Sequence, residues 1–118
     1  MAAKDLLGRL GEDLAAAFLT EAGYLVVDRN WRCRQGEIDI VAVDGAQTVF
    51  VEVKTRSSVA FGHPFEAITP AKLARLRRLA TAWCADNPGD HRTIRIDGIS
   101  VIVPTDGPPQ IEHLAQVF

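Results

Sequence analysis

The stretch Gly36-Glu37-Ile38-Asp39-Ile40-Val41-Ala42-Val43-Asp44-Gly45-Ala46-Gln47-Thr48-Val49-Phe50-Val51-Glu52-Val53-Lys54-Thr55-Arg56 decides how this chain folds. It holds two runs rich in β-branched residues, Glu37–Val43 and Thr48–Thr55, on either side of Asp44-Gly45, a turn signal that joins antiparallel strands. Side chains alternate along a strand, so Val49, Val51 and Val53 take one face, and Phe50, Glu52, Lys54 and Arg56 the other. On the first run Ile38, Ile40 and Ala42 share a face, opposite Glu37, Asp39, Val41 and Val43. Two registers are open. With Gly45-Ala46 as the loop, Asp44 faces Gln47, Asp39 lies directly opposite Glu52, and Glu37 lies opposite Lys54. With Asp44-Gly45 as the loop, Asp39 lies diagonal to Glu52 on the same face. Either register brings two carboxylates and Lys54 together.

Directly opposed like charges destabilise a sheet. Phe50, Val41 and Val43 share the face of these acids, which points to burial and sharpens the conflict. A cation resolves it, and oxygen donors of this kind suit Mg²⁺ or Mn²⁺. Lys54, two residues along the same face from Glu52, can offset further charge and reach a phosphate or a water.

Outward from the hairpin, Leu7, Leu10, Leu14 and Phe18 recur at helical spacing over Leu6–Glu21, with Gly23 as a stop. Gly8 and Gly11 inside that helix are unfavourable by about 1 kcal/mol each against alanine, which suggests a close backbone approach there. Tyr24–Trp31 reads as a strand. Ser57–Thr69 reads as a long loop containing Gly62, His63 and Pro64. Thr69-Pro70 opens a second helix, whose apolar stripe is Leu73, Leu76, Leu79, Ala80 and Trp83 and which Asn87-Pro88-Gly89 ends. A last strand covers Thr93–Val103; its apolar phase shifts between Ile96 and Ile99, predicting a bulge near Gly98. Pro104, Pro108 and Pro109 precede a short terminal segment, Ile111–Phe118. The order α-β-β-β-α-β predicts an α/β sandwich on a mixed sheet, one domain over residues 1–118.

The net charge of −2 gives no general pull toward a polyanion, but its distribution does: residues 29–78 carry +4 and the rest of the chain −6. No apolar run approaches the roughly 20 residues that span a bilayer, so no membrane role is expected. Asp5 and the lack of an apolar leader near Met1 predict a cytoplasmic protein, with Cys33 and Cys84 as reduced thiols.

Gly36-Glu37-Ile38-Asp39-Ile40-Val41-Ala42 followed by Phe50-Val51-Glu52-Val53-Lys54-Thr55-Arg56 resembles the YraN-like family of small bacterial proteins. These are similar to Holliday-junction resolvases of the PD-(D/E)xK superfamily. The similarity extends from Gly8, Gly11 and Glu12 through Phe61-Gly62, Pro64 and Glu66-Ala67-Ile68 to the region of His113. Ile38 stands where the superfamily's namesake motif has proline, and Ile96-Asp97-Gly98 replaces the Phe-Asp-Val run usual in these relatives. The resemblance implies a restriction-endonuclease-like three-layer sandwich and a metal-dependent nuclease acting on nucleic acid, expected to be DNA and branched or structured in form. It implies that Asp39, Glu52 and the Val53 carbonyl bind Mg²⁺ or Mn²⁺. Lys54 would then prepare the attacking water and stabilise the transition state, with Glu12 completing the site. Similarity to resolvases suggests a homodimer. Arg34, Arg56, Lys72 and Arg75 are the candidate nucleic-acid contacts, with Arg77 and Arg78 beside them on the second helix. A non-catalytic nucleic-acid-binding or partner-recruiting protein on the same fold is the alternative.

Overall fold

The computed structural model describes residues 3–58, 60, 69–91 and 93–115. Its elements run α1 (Ala3–Glu21), β1 (Leu25–Cys33), β2 (Gly36–Asp44), β3 (Gln47–Arg56), α2 (Pro70–Asp86), β4 (Thr93–Ile102) and β5 (Gln110–Leu114). The five strands form one sheet in sequence order. All neighbours are antiparallel except β3 and β4, which run parallel because α2 carries the chain back across the sheet. The terminal segment, expected only as a short tail, supplies the fifth strand. Its alternation is confined to the five residues Gln110–Leu114, too few to stand out from a proline-rich approach. No described helix is long and apolar enough to cross a membrane.

The sheet is covered on both faces, giving the three-layer sandwich. On one side Ala15 and Leu19 of α1 pack on Ile40, Ala42, Val49, Val51, Ile99 and Val101. On the other, Leu76, Leu79, Ala80 and Trp83 of α2 pack on Ile38, Val41, Phe50 and Ile96. The stripe read for α2 is thus its buried face, and Thr69 caps it, its hydroxyl accepting from the Lys72 N–H at 3.2 Å. The stripe read for α1 is corrected. The fully buried line is Gly11, Ala15 and Leu19, while Leu10 is 45% exposed and Leu14 and Phe18 only flank the contact. Gly11 and Ala15 keep that line small where α1 lies close on the sheet, a Cβ at Gly11 meeting the Thr55 side chain, and Leu19 fills the space at its far end. Gly23, at φ +95°, ends α1, and the Tyr24 N–H returns to the Leu19 carbonyl at 2.9 Å.

The bulge expected near Gly98 is absent. β3 and β4 pair without a break from Gln47↔Thr93 to Arg56↔Ile102. The apolar phase shifts because two charged residues, Arg95 and Asp97, occupy the α1-facing positions at the start of β4. They neutralise each other there: Arg95 Nε donates to Asp97 Oδ1 at 2.8 Å and Nη2 to Oδ2 at 2.9 Å. Arg95 Nη2 also donates to the Tyr24 hydroxyl at 2.7 Å, and His113 Nε2 lies 2.7 Å from Asp97 Oδ2, tying β5 to β4. Hydrogen bonding to Asp97 outweighs burial and raises the Arg95 pKa.

Asp97 is fully buried. Replacing it with alanine leaves the Arg95 charge without its main partner, so Asp97→Ala is expected to lower unfolding free energy by about 3–5 kcal/mol in urea titrations. Asp97→Asn, which keeps an acceptor, should lose less.

Candidate functional site

The β2–β3 register is the one with Gly45-Ala46 as the loop: Asp44 pairs with Gln47, and the ladder runs to Ile40↔Val51. There it stops, one step short of Asp39 and Glu52. On the other edge, β1 pairs Arg29 with Ile40 and Trp31 with Ile38, again omitting Asp39. Asp39 therefore has a ladder partner on neither side. Its Oδ2 instead accepts the Val53 N–H at 2.8 Å, a side chain standing in for the absent strand contact. Face alternation slips at the same point. Ile38 joins the cluster under α2 and Ile40 the cluster under α1, so the expectation that both share a face is corrected. A strand released from both neighbours is free to rotate between faces.

The opening between β2, β3 and α1 is a cleft of about 1010 Å³. Glu12, Asp39, Val53, Lys54 and Arg56 line it, together with Arg9, Arg29, Asn30 and Thr55. Glu52 is not among the residues that line it; its Oε1 lies 3.0 Å from the Nζ of Lys54, which does. Their β4 neighbours are the small residues Gly98 and Ser100, and both side chains are largely buried. Gly11 brings Glu12 into the cleft: a Cβ there would overlap the Thr55 side chain, so α1 reaches this depth only without one. Arg29 then orients Glu12, with Nε and Nη2 each 3.2 Å from its Oε1, and Nη2 2.6 Å from Asp13 Oδ1. The hydrogen bond to Asp13, followed by the contacts with Glu12, raises the Arg29 pKa against the effect of burial.

The acids of this region divide into two kinds. Glu12 and Asp13 are paired with Arg29, Glu37 with Arg32 at 2.8 Å, and Glu52 with Lys54. Asp39 has no ion pair among the described residues. Burial first, then the Glu52 carboxylate, push its pKa up to about 7, against the Val53 N–H that favours the charged form. No three His, Cys, Asp or Glu side chains among the described residues converge as a closed metal cage would. The donors present match a sparser set: two carboxylates, plus the Val53 carbonyl, which leaves the strand on the same edge as the N–H held by Asp39. One or two carboxylates with other oxygens is the set Mg²⁺ takes when waters or phosphates fill the remainder.

Of the other sequence candidates, Arg34 lies in the β1–β2 turn, and Lys72 and Arg75 lie on α2. None of the three lines the cleft. Trp31 packs against the α2-side cluster, and both cysteines are free thiols. The motif Phe61-Gly62, Pro64 and Glu66-Ala67-Ile68, and His63, lie outside the described residues. Arg9 and Asn30 were not singled out from sequence. Arg9 sits one helical turn before Glu12 and Asp13, a spacing that places all three together. Asn30 carries no signal of its own in a strand-like run.

Such a cleft, at the parted end of a mixed sheet clasped between two helices, defines the class: a three-layer α/β sandwich bearing an Asp, a Glu and a Lys at a gap in its central strands. The chain belongs to the Uncharacterised protein family UPF0102, the YraN-like family, whose sequence profile matches residues 11–101 and so takes in Glu12, Asp39, Glu52 and Lys54. Similar proteins include the UPF0102 protein of Arthrobacter sp. (strain FB24), 57% identical over 117 residues and covering 99% of both chains. The UPF0102 protein of Beutenbergia cavernae is 54% identical over 117 residues, also covering 99% of each. That of Frankia casuarinae is 48% identical over 118 residues, covering all of both.

Gly11→Ala forces α1 off Thr55 and should lower stability by about 1–3 kcal/mol, read from urea midpoints. A second expectation concerns pH. The Asp39 carboxyl keeps its proton to about pH 7 in the folded state and to about 3.8 when unfolded. The folded state thus binds more protons across that window, and this group's contribution makes the ion-free protein less stable as pH rises through it. Asp39→Asn keeps an acceptor for the Val53 N–H and removes the titration. In chelator, the melting temperature of the variant relative to wild type should therefore climb between about pH 4 and about pH 8.

Proposed function

We propose that this protein is a divalent-ion-dependent phosphodiesterase acting on nucleic acid, with DNA of branched or structured form as the substrate. The observation that carries the reading is Asp39. It is a half-buried carboxylate beside Glu52, held by the Val53 N–H and without a cation among the described residues, although Glu12, Glu37 and Glu52 around it each have one. Asp39, Glu52 and the Val53 carbonyl would hold an Mg²⁺ or Mn²⁺, which would supply the cation that Asp39 lacks. When bound, such an ion supplies Lewis-acid polarisation of the phosphodiester.

The chain's own residues supply the rest. Lys54, whose Nζ pairs with Glu52, would orient a water against the phosphorus and donate to the phosphoryl oxygens as their charge grows. Glu12, fixed by Arg29, accepts a hydrogen bond from that water across the cleft. Arg56 at the cleft wall meets the flanking phosphate; Arg34, Lys72 and Arg75, outside the cleft, would meet more distant phosphates. A homodimer, as in the resolvases the sequence resembles, would set two such clefts on one branched substrate. The second reading, a binding protein on the same scaffold, draws on the Lys54–Glu52 ion pair, which neutralises one of the two acids internally.

Purified protein is incubated with duplex, single-stranded, flapped and four-way-junction DNA in Mg²⁺ or Mn²⁺. Wild type is expected to cleave at least one of these. Asp39→Ala and Lys54→Ala are each expected to lower the rate by about 10²-fold or more. Equal rates in the variants would defeat the mechanism. Ion-dependent binding with no cleavage on any substrate would transfer the assignment to the second reading.

A further inference from the structure

Asn30 interrupts β1 without changing its register. Arg29↔Ile40 and Trp31↔Ile38 keep one alignment across it, unlike the bulge between Val26 and Asp28, where the pairing steps by a residue. Yet Asn30 has φ +54°, the only positive value at a non-glycine residue among those described, and it does not pair with Asp39. The left-handed conformation is unfavourable by roughly 1–2 kcal/mol for most L-residues and is tolerated best by glycine, then by asparagine. Glycine would meet the backbone requirement without strain. What asparagine adds is a carboxamide.

That carboxamide has no structural use within the described protein. Asn30 is exposed, lines the cleft with Asp39 and Lys54, and makes no side-chain hydrogen bond to a described residue. The charged donors nearest it in the chain are committed: Arg29 to Glu12 and Asp13, Arg32 to Glu37. The amide offers two N–H donors and one acceptor with no net charge. Such a group can bind an anionic oxygen without displacing the ion pairs that orient Glu12 and Glu37. Backbone distortion at a site wall, retained with a polar side chain where glycine would relax it, is the pattern of a ligand contact.

We propose that Asn30 is a substrate-contacting residue, its amide N–H groups donating to a phosphodiester oxygen of nucleic acid lying in the cleft against Asp39 and Lys54. This rests on the nucleic-acid reading above and names the contact that seats the backbone. Asn30→Gly keeps the left-handed conformation and deletes the amide; Asn30→Asp keeps the shape and replaces its donors with negative charge.

Binding of fluorescent four-way-junction and duplex DNA is measured by anisotropy in Ca²⁺, alongside Mn²⁺ binding by calorimetry and thermal melts. Asn30→Gly is expected to melt no lower than wild type and to bind Mn²⁺ equally. It should bind DNA about tenfold more weakly or worse, the loss of a hydrogen bond to a charged group. Asn30→Asp should bind more weakly still. Wild-type DNA affinity in Asn30→Gly would overturn the inference while leaving the nuclease reading intact, because asparagine would then serve only its backbone conformation. Wild type that binds none of the DNA would overturn both.

Discussion

One hydrogen bond organises the candidate site: the Asp39 carboxylate accepting the N–H of Val53. A buried N–H needs a partner, and the β2–β3 ladder ends at Ile40↔Val51, before β2 can provide a carbonyl for it. Asp39 fills that need with a side chain, so the two central strands part without stranding a donor. The parting creates the cleft. It releases β2 to turn between faces, exposes the Val53 edge, and leaves two carboxylates near one another with an opening beside them. A continuous ladder would have closed all of this into ordinary sheet.

The rest of the fold keeps that gap open and in place. The parallel β3–β4 joint is unbroken over ten residue pairs, so Glu52 and Lys54 project from a strand anchored along one whole edge. Gly98 and Ser100 are their partners in that pairing. On the α1 side, the absent Cβ of Gly11 sets the depth to which the helix sinks toward Thr55, and with it the reach of Glu12. Far from the cleft, Arg95, Asp97, Tyr24 and His113 hold the outer strands together through a satisfied buried network. Such a network rigidifies only if every member is paired.

Electrostatics distributes the labour among the acids. Arginine and lysine side chains neutralise Glu12, Asp13, Glu37 and Glu52 locally, which lets a region dense in carboxylates fold. Asp39 is the exception, and its proton affinity rises accordingly. The charge asymmetry along the chain anticipated a basic middle segment. In the fold, part of that positive charge is paired with acids, as Arg29 and Arg32 are, and less of it is free for a polyanion than a linear count implies.

Much of this was legible in the chain itself. Period-two alternation around Asp44-Gly45 determined the hairpin, and Asp39, Glu52 and Lys54 meet in either register it allows. Thr69-Pro70 and the stripe from Leu73 to Trp83 determined the second helix, since capping and amphipathicity are local properties. The tertiary structure decided everything that depends on what lies opposite. It chose the register with Gly45-Ala46 in the turn, and it ended the ladder at Ile40. It admitted Arg95 and Asp97 to the interior, where sequence phase alone suggested a bulge. It buried Gly11, Ala15 and Leu19 in place of the leucine stripe, and it bent Asn30 into a left-handed conformation that no pattern announces. Periodicity records which way a side chain points along its own element; whether a charge, a gap or a close approach is tolerated there is set by neighbours distant in sequence, and only the assembled sheet supplies them.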